Sequence, residues 1–442
     1  MNSQYQSWSR YPAVKQEAIG LFWRHQTSGI FETDKSVLAH GLGRSYGDVC
    51  LNDGGRIVAM RGLNRLINFD AEKGILSCEA GVSLAEILEF AVPQGYFLPV
   101  TPGTKLVTVG GAIANDVHGK NHHRSGTFGR YITRFELLRS DGNHIICSAD
   151  ENSDLYRATI GGLGLTGIIL WADIELKPIE SSTIKQRAVK FKNLDDFFII
   201  SAECEKDFEY TVAWIDCLAR GISLGRGIFM AGNHKEGDKS DLEFSQTGKN
   251  SPGIPLNFPG FALNKLSIKA FNELYYHRMM SSEKESNVNF DKFFYPLDSI
   301  DGWNKIYGKQ GPLQYQCVVP FEDKKAIRDI LDKIAVSGLG SFLAVLKVMG
   351  DVSSPGLMSF PQSGVTLALD FPLKGDNTFQ LFNELDKIVR ECGGRLYPAK
   401  DAAMSGDDFR HYYPQWEELT KFIDPKFSSS FWKRVTPQGE KR

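Results

Sequence analysis

Beyond residue 178 the chain repeats one hydrophobic rhythm. KQRAVKF, LQYQCVVP and VTLALDFPL are short apolar or alternating runs of the kind that form strands. Each is followed by a stretch whose apolar residues recur at helical spacing: LDDFFIISAECE, KKAIRDILDKIAVSG and FQLFNELDKIVRECGG. A second short run then closes each unit: YTVAWIDCL, SFLAVLKVMG or RLYPAKD. Strands that alternate with amphipathic helices at such short intervals predict an α+β layer, a sheet with helices packed on one face.

The earlier part of the chain is patterned differently. VLAHG and RIVAM predict two short strands joined by the glycine-rich GRSYGDVCLNDGG. Ser83-Leu84-Ala85-Glu86 is a capping box, in which serine and glutamate satisfy free amides at a helix start. Leu84, Ile87, Leu88, Ala91 and Val92 follow at helical spacing, and Gly95 ends the element. From about 131 to 177 strand patterns return, with a turn at Asp141-Gly142. The change of rhythm sets a boundary near 178–184. The expected division is a first domain over 1–181, a second over 182–394, and a C-terminal segment, 395–442, that returns to the first. Within the second, 232–255 and 281–291 are polar and weakly patterned and read as loops around the apolar FPGFALNKL. Loops of that length are either mobile lids over a substrate or passive insertions.

Composition refines this by exclusion. The 442 residues are 42% hydrophobic with 29 phenylalanines, enough for large cores and a bulky ligand. Net charge is −2 with no basic stripe, which argues against a nucleic-acid partner. The N-terminus has no apolar signal-peptide core, and no run reaches the ~18 apolar residues that span a membrane. Seven cysteines without C-x-x-C spacing argue against a disulfide framework or zinc ribbon, so a reduced, cytoplasmic compartment is expected.

Candidate chemistry gathers in four motifs. Gly41-Leu42-Gly43-Arg44-Ser45-Tyr46-Gly47-Asp48 departs from a dinucleotide-binding fingerprint, because its third glycine is late and no helix follows. A tight loop of inward amides can still bind a pyrophosphate, and an ordinary hairpin would not ask for Arg44 and Ser45 at its tip. TVGGAIANDVHGKNHH (108–123) combines paired glycines, which admit a ligand close to the backbone, with His118, His122 and His123. Those histidines lack the usual carboxylate partner, so metal binding is the minority reading. Gly161–Gly167 reads as a loop skirting a cofactor or as a buried turn. Lys400 ends a short apolar strand, where a desolvated lysine can serve as a base if it faces a cofactor.

In this order, GLGRSYGD, PGT with VTVGGAI and D-x-HGKNHH, GG-x-GLTGII, QYQ, DFP and RLY-x-AKD resemble the vanillyl-alcohol-oxidase (PCMH-type) family of FAD-dependent oxidoreductases. The similarity runs from about residue 5 to 435. HGKNHH with RLY-x-AKD brings it nearest to the branch that oxidises a lipid-linked ribose. The implied fold is a two-domain PCMH-type FAD-binding fold whose substrate (cap) domain is an α+β arrangement of antiparallel sheet and helices. The resemblance assigns the pyrophosphate to Gly41, Gly43, Arg44, Ser45, Tyr46, Gly47 and Asp48. It assigns the rest of FAD to Gly103, Thr108, Val109, Gly110, Gly111, Asn115, Asp116, Val117, His118, Ile169 and Tyr397. Lys400, Lys120 and His118 are the implied catalytic residues. Lys120, Trp214, Gln314, Gln316, Lys347, Thr366 and Lys400, with His118 beside them, are the implied substrate pocket.

Many relatives bind flavin covalently through a histidine in the first glycine loop; here that loop offers Ser45 and Tyr46, so non-covalent FAD is expected. Mycobacterial members of the nearer branch carry cysteine where this chain has Ala368 and asparagine where it has Thr366. The implied reaction oxidises the 2′-hydroxyl of a polyprenyl-phospho-β-D-ribofuranose to the 2′-keto sugar, with hydride passing to flavin N5. A separate short-chain reductase would then give the arabino epimer for a cell-envelope glycan. Peripheral contact with the inner face of the plasma membrane is a further implied option. The rival readings are a soluble sugar or alditol oxidase and a non-catalytic flavin- or glycan-binding protein.

Overall fold

A computed structural model describes residues 5–237, 242, 253–259 and 263–437. Much of the polar 232–255 stretch and the centre of FPGFALNKL therefore lie outside the described residues.

The chain opens with a small parallel ribbon of β1 (Glu17–Gly20), β2 (Val37–His40) and β3 (Arg56–Ala59), with β3 in the middle. Because β2 and β3 run parallel, the glycine-rich segment between them is a crossover and not a hairpin tip. A five-stranded antiparallel sheet follows, built from β4 (Leu66–Asp70), β5 (Ile75–Glu79), β7 (Ile132–Leu138), β8 (His144–Ser148) and β9 (Ile168–Glu175) in the order β4-β5-β9-β7-β8. The two-residue β6 (Tyr96–Phe97) and β10 (Lys177–Pro178) pair beside it.

Helices α1 (Leu84–Ala91) and α2 (Val109–Ala114) pack against this sheet. The capping box is formed: Ser83 Oγ accepts from the Glu86 amide at 3.2 Å, and Glu86 Oε2 accepts from the Ser83 amide at 2.7 Å. Leu84, Ile87, Leu88 and Ala91 are buried, and Gly95, at φ 82°, ends the element after one further turn. The helical turn α3 (His122–Ser125) comes next, and α4 (Ser153–Thr159) interrupts the stretch expected to be all strand.

The second region is one eight-stranded antiparallel sheet. Its strands are β11 (Thr183–Phe191), β12 (Tyr210–Ile215), β13 (Gly227–His234), β14 (Glu283–Asn289), β15 (Pro312–Val319), β16 (Ala344–Met349), β17 (Gly364–Pro372) and β18 (Arg395–Leu396). The order across the sheet is β14-β11-β13-β12-β16-β17-β15-β18. Helices α5 (Leu194–Asp207), α8 (Lys324–Ser337) and α9 (Asp376–Glu391) cover one face. The two-residue period of a strand then dictates what the other face shows. Leu313, Tyr315 and Cys317, Leu346 and Val348, and Leu367, Leu369 and Phe371 point into the helix-covered core. Gln314 and Gln316, Val345 and Lys347, and Ala368 and Asp370 therefore point the opposite way.

The loop expected over 281–291 is a strand, β14, followed by the short helix α7 (Phe290–Phe294). β14 is an edge strand whose charged EKESNVN sequence hides its pairing with β11, and charged edges discourage pairing with other chains. Helix α6 (Lys265–His277) precedes it, with Leu266 and Leu274 exposed and the polar Asn272 buried, an inversion of the usual pattern.

After β18 the chain leaves the large sheet through α10 (Gly406–Tyr412), α11 (Trp416–Leu419) and α12 (Ser430–Val435). It touches the parallel ribbon and its crossover, where Val37 donates to Lys426 O at 2.7 Å and Ser430 to Leu51 O at 2.7 Å. The C-terminal segment thus contacts the parallel ribbon as well as the large sheet, where Tyr413 donates to Leu396 O at 2.6 Å. No helix among the described residues is long and apolar enough to cross a membrane.

Candidate active site

A cavity of ≈ 580 Å³ lies between the β2–β3 crossover, α2 and the helix-free face of the large sheet. Leu297 to Trp303 form part of its boundary, and Leu163, Gly164, Gly167 and Ile169 another.

The crossover supplies Gly41, Leu42, Gly43, Arg44, Ser45 and Tyr46. Thr108 caps α2 by accepting from the Gly111 amide at 3.2 Å, and a Cβ on Gly41 would come within 2.3 Å of that hydroxyl. Glycine at 41 therefore lets the crossover lie against the start of the helix. The amides of Leu42, Gly43, Arg44 and Ser45 have no acceptor among the described residues. The first amides of α2 are committed, Val109 to Val82 O and Gly110 to Ala80 O, both at 2.8 Å. The amides left open toward the cavity are thus those of the crossover, and not the first two of the helix. Asn115 borders the same space with a buried Oδ1 that accepts no hydrogen bond. A large, flat, pyrophosphate-bearing group such as FAD fits these residues.

The sheet side carries the polar chemistry. Gln314 and Gln316 on β15, Lys347 on β16, Ala368 and Asp370 on β17, and Lys400 just after β18 border the cavity. Register places Gln314 opposite Asp370, and its amide donates to Asp370 Oδ1 at 2.6 Å. His118 sits between Gln316, at 3.0 Å, and Lys347, whose ammonium approaches its Nδ1 at 3.3 Å. Burial and the neighbouring Lys347 hold its imidazole well below the usual range, so it is neutral. Burial also pulls Lys347 down to about 8. Lys400 lies 4.3 Å over the Tyr46 ring, while the Tyr46 amide donates to Ala399 O at 2.9 Å, so the crossover and the lysine are set against each other.

Most of the residues expected at the site border this one space: Gly41, Gly43, Arg44, Ser45, Tyr46, Gly103, Thr108, Gly110, Gly111, Asn115, Val117, His118, Ile169, Gln314, Gln316, Lys347, Tyr397 and Lys400. Others do not, each for a physical reason. Gly47 turns at φ 77° against the backbone of Asp401. Asp48 pairs with Arg434 at 2.8 Å, and Arg434 also holds Asp401 at 2.8 Å. Val109 faces the core. Asp116 is buried, accepting from the Gly129 amide and the Ser354 and Ser359 hydroxyls. Thr366 stands one step behind Gln316, accepting from it at 3.2 Å and donating to Cys317 O. Trp214 donates to Phe342 O and packs its ring 4.5 Å from Tyr275. Lys120 turns to Phe293, donating to its carbonyl and lying 4.4 Å over its ring, and burial lowers its ammonium to about 7.

The three histidines of the 108–123 stretch separate. His118 enters the cavity, His122 is buried, and His123 meets Phe208 O at 3.2 Å. No three potential ligands gather for a metal among the described residues.

Two groups at the site were given no role by sequence reasoning, although Asp370 heads the DFP motif. Trp8 lies 4.2 Å under the Arg44 guanidinium. Asp370 follows from parity: the two-residue step that carries Thr366 to Ala368 carries on to 370.

Residues 31–148 match the family model for an FAD binding domain. This domain, with the cavity its residues border, defines an FAD-dependent oxidoreductase. Over 424 residues the chain is 37% identical to decaprenylphosphoryl-β-D-ribose oxidase of Mycolicibacterium smegmatis, covering 93% of this chain and 92% of that one. It therefore belongs to the decaprenylphosphoryl-β-D-ribose oxidase family. Two animal relatives match over shorter spans. Delta(24)-sterol reductase of Rattus norvegicus is 31% identical over 39% of this chain and 33% of its own. L-gulonolactone oxidase of Mus musculus is 29% identical over 33% of each.

Proposed function

We propose that this protein oxidises the 2′-hydroxyl of a polyprenyl-phospho-β-D-ribofuranose to the 2′-keto sugar, the first half of an epimerisation toward an arabinose donor for cell-envelope glycans. The supporting observation is a wall of ammonium and amide groups, Lys347, Lys400, Gln314 and Gln316, that shares one cavity with the glycine crossover. Bound FAD supplies the two-electron acceptor for the hydrogen that leaves the sugar carbon. The crossover amides hold its pyrophosphate; Thr108, Gly110, Gly111, Asn115, Val117, Ile169 and Tyr397 hold the remainder, without a covalent bond. Lys400 orients the 2′-hydroxyl or takes its proton, Lys347 holds the sugar or its phosphate, and the glutamines bind hydroxyls. The division at 181/182 and 394/395 separates an FAD domain, a cap domain and a returning segment. A short-chain reductase completes the epimerisation.

Anaerobic flavin reduction tests this reading. Polyprenyl-phosphoribose should bleach the flavin, whereas free ribose and alditols should not. Equal bleaching by free polyols would favour the alditol-oxidase alternative, and no bleaching by any sugar would sink the enzymatic reading.

A lipid-linked substrate also gives a role to α6. Leu266 and Leu274 are 78% and 74% exposed, with Phe271 between them and Lys265, Lys269 and Arg278 exposed nearby. An apolar strip flanked by basic residues suits the face of an anionic bilayer. The double variant Leu266→Asp, Leu274→Asp should bind anionic phospholipid vesicles at least about a hundredfold less tightly in a sedimentation assay, given about 3–6 kcal/mol for burying two leucines. Equal sedimentation would exclude this face as the membrane contact.

A further inference from the structure

Asp370 is a buried carboxylate for which the reaction above has no task. Its Oδ1 accepts from Gln314, and its Oδ2 is buried without a hydrogen bond. It faces Lys400 across the cavity wall, and the two act on each other electrostatically: burial raises the carboxyl and Lys400 opposes this, while burial lowers the ammonium and Asp370 opposes that. The other groups facing the pair add no negative charge near neutral pH. They are Tyr46 from the crossover, neutral His118 from beyond α2, Lys347 from β16, and Tyr307 and Tyr397, whose phenols burial keeps protonated. Asp401, next to Lys400 in sequence, is engaged by Arg434.

We propose that Asp370 is a positioning residue that keeps Lys400 an ammonium ion once ligands fill the cavity, so that Lys400 meets the sugar as a charged hydrogen-bond donor and not as a free-amine base. A bound sugar and cofactor displace water, which disfavours an isolated cation, and Lys347 beside it adds repulsion. A fixed carboxylate behind the lysine offsets both. An ammonium held in place donates to the sugar oxygen and fixes its orientation, which is the first of the two roles given to Lys400 above. The role rests on the functional reading given above.

Two measurements on the FAD-loaded protein test it. The first is pH-dependent competitive acetylation of Lys400 by acetic anhydride, read by mass spectrometry, which needs no substrate. Asp370→Asn should lower the Lys400 midpoint by about 1–2 pH units, and Asp370→Glu should restore most of it. Asp370→Ser serves the same arm if the amide variant does not accumulate. The second is the pH profile of anaerobic flavin reduction by polyprenyl-phosphoribose. Its alkaline limb should fall by the same amount in Asp370→Asn, and should not move when that change is made in a Lys400→Arg background, because a guanidinium does not discharge. A Lys400 midpoint unmoved by the neutral substitutions, or an equal fall of the limb in the arginine background, overturns the role. Failure of the sugar to reduce wild-type flavin instead overturns the functional reading, and leaves the labelling result standing by itself.

Discussion

Lys400→Ala should yield a yellow, FAD-loaded protein whose flavin polyprenyl-phosphoribose no longer bleaches. The backbone around this position does the structural work: the Lys400 amide bonds to Tyr397 O, and Ala399 O receives the Tyr46 amide. Both bonds survive truncation of the side chain, so the crossover keeps its place and the cofactor its site. What is lost is the ammonium over the Tyr46 ring. Removing a preorganised donor of this kind costs on the order of 10²–10³ in rate. Stopped-flow absorbance of the flavin under anaerobic conditions measures the loss directly, and wild-type bleaching by the variant would remove Lys400 from the chemistry.

The second large effect is expected from Gly47→Ala, which should fold poorly and bind FAD weakly. At φ 77° the residue lies in the left-handed region, which costs an L-residue about 1–2 kcal/mol. A Cβ there would also sit 1.9 Å from the Asp401 carbonyl oxygen. Backbone cannot swing aside as a side chain can, and overpacking of this kind adds roughly 1–3 kcal/mol. Gly54→Ala is the internal control: its φ is 70°, yet a Cβ there meets nothing within 4 Å. The difference between the two melting temperatures isolates the overlap. A Gly47→Ala protein melting with the Gly54→Ala protein, at unchanged FAD affinity, would show that the crossover is not pinned here.

The parts of the fold legible in sequence are those with one clean period. The strand–helix–strand units after residue 178 bury one face of each element, so apolar spacing reports them faithfully. β14 and α6 were illegible for opposite reasons. β14 is a charged edge, and α6 shows leucines to solvent while burying Asn272. Helix α6 also bears on Trp214, which the family resemblance places in the substrate pocket. Trp214 has the parity of the cavity face and lies beside Val345, but it packs against Tyr275, Tyr276 and Met279 at the end of α6 and just beyond it. A helix unseen in the sequence thus hides a residue expected in the pocket.

The glycine motifs were legible because close backbone approach leaves few alternatives. Lys120 was not, since nothing in H-G-K-N says that the lysine turns to Phe293 while its neighbour two positions earlier enters the cavity. Asp370 was within reach of the strand period alone.

The Asp48–Arg434–Asp401 cluster has a consequence in time. Its members on the crossover and on α12 are 386 residues apart, and Arg434 also clamps the segment that carries Lys400. Chains emerge from the ribosome N-terminus first. The glycine crossover is therefore among the earliest parts made and among the last completed, because its anchor does not exist until translation has passed residue 434. A chain stalled anywhere short of α12 would therefore carry every glycine of the site yet lack the clamp that closes it.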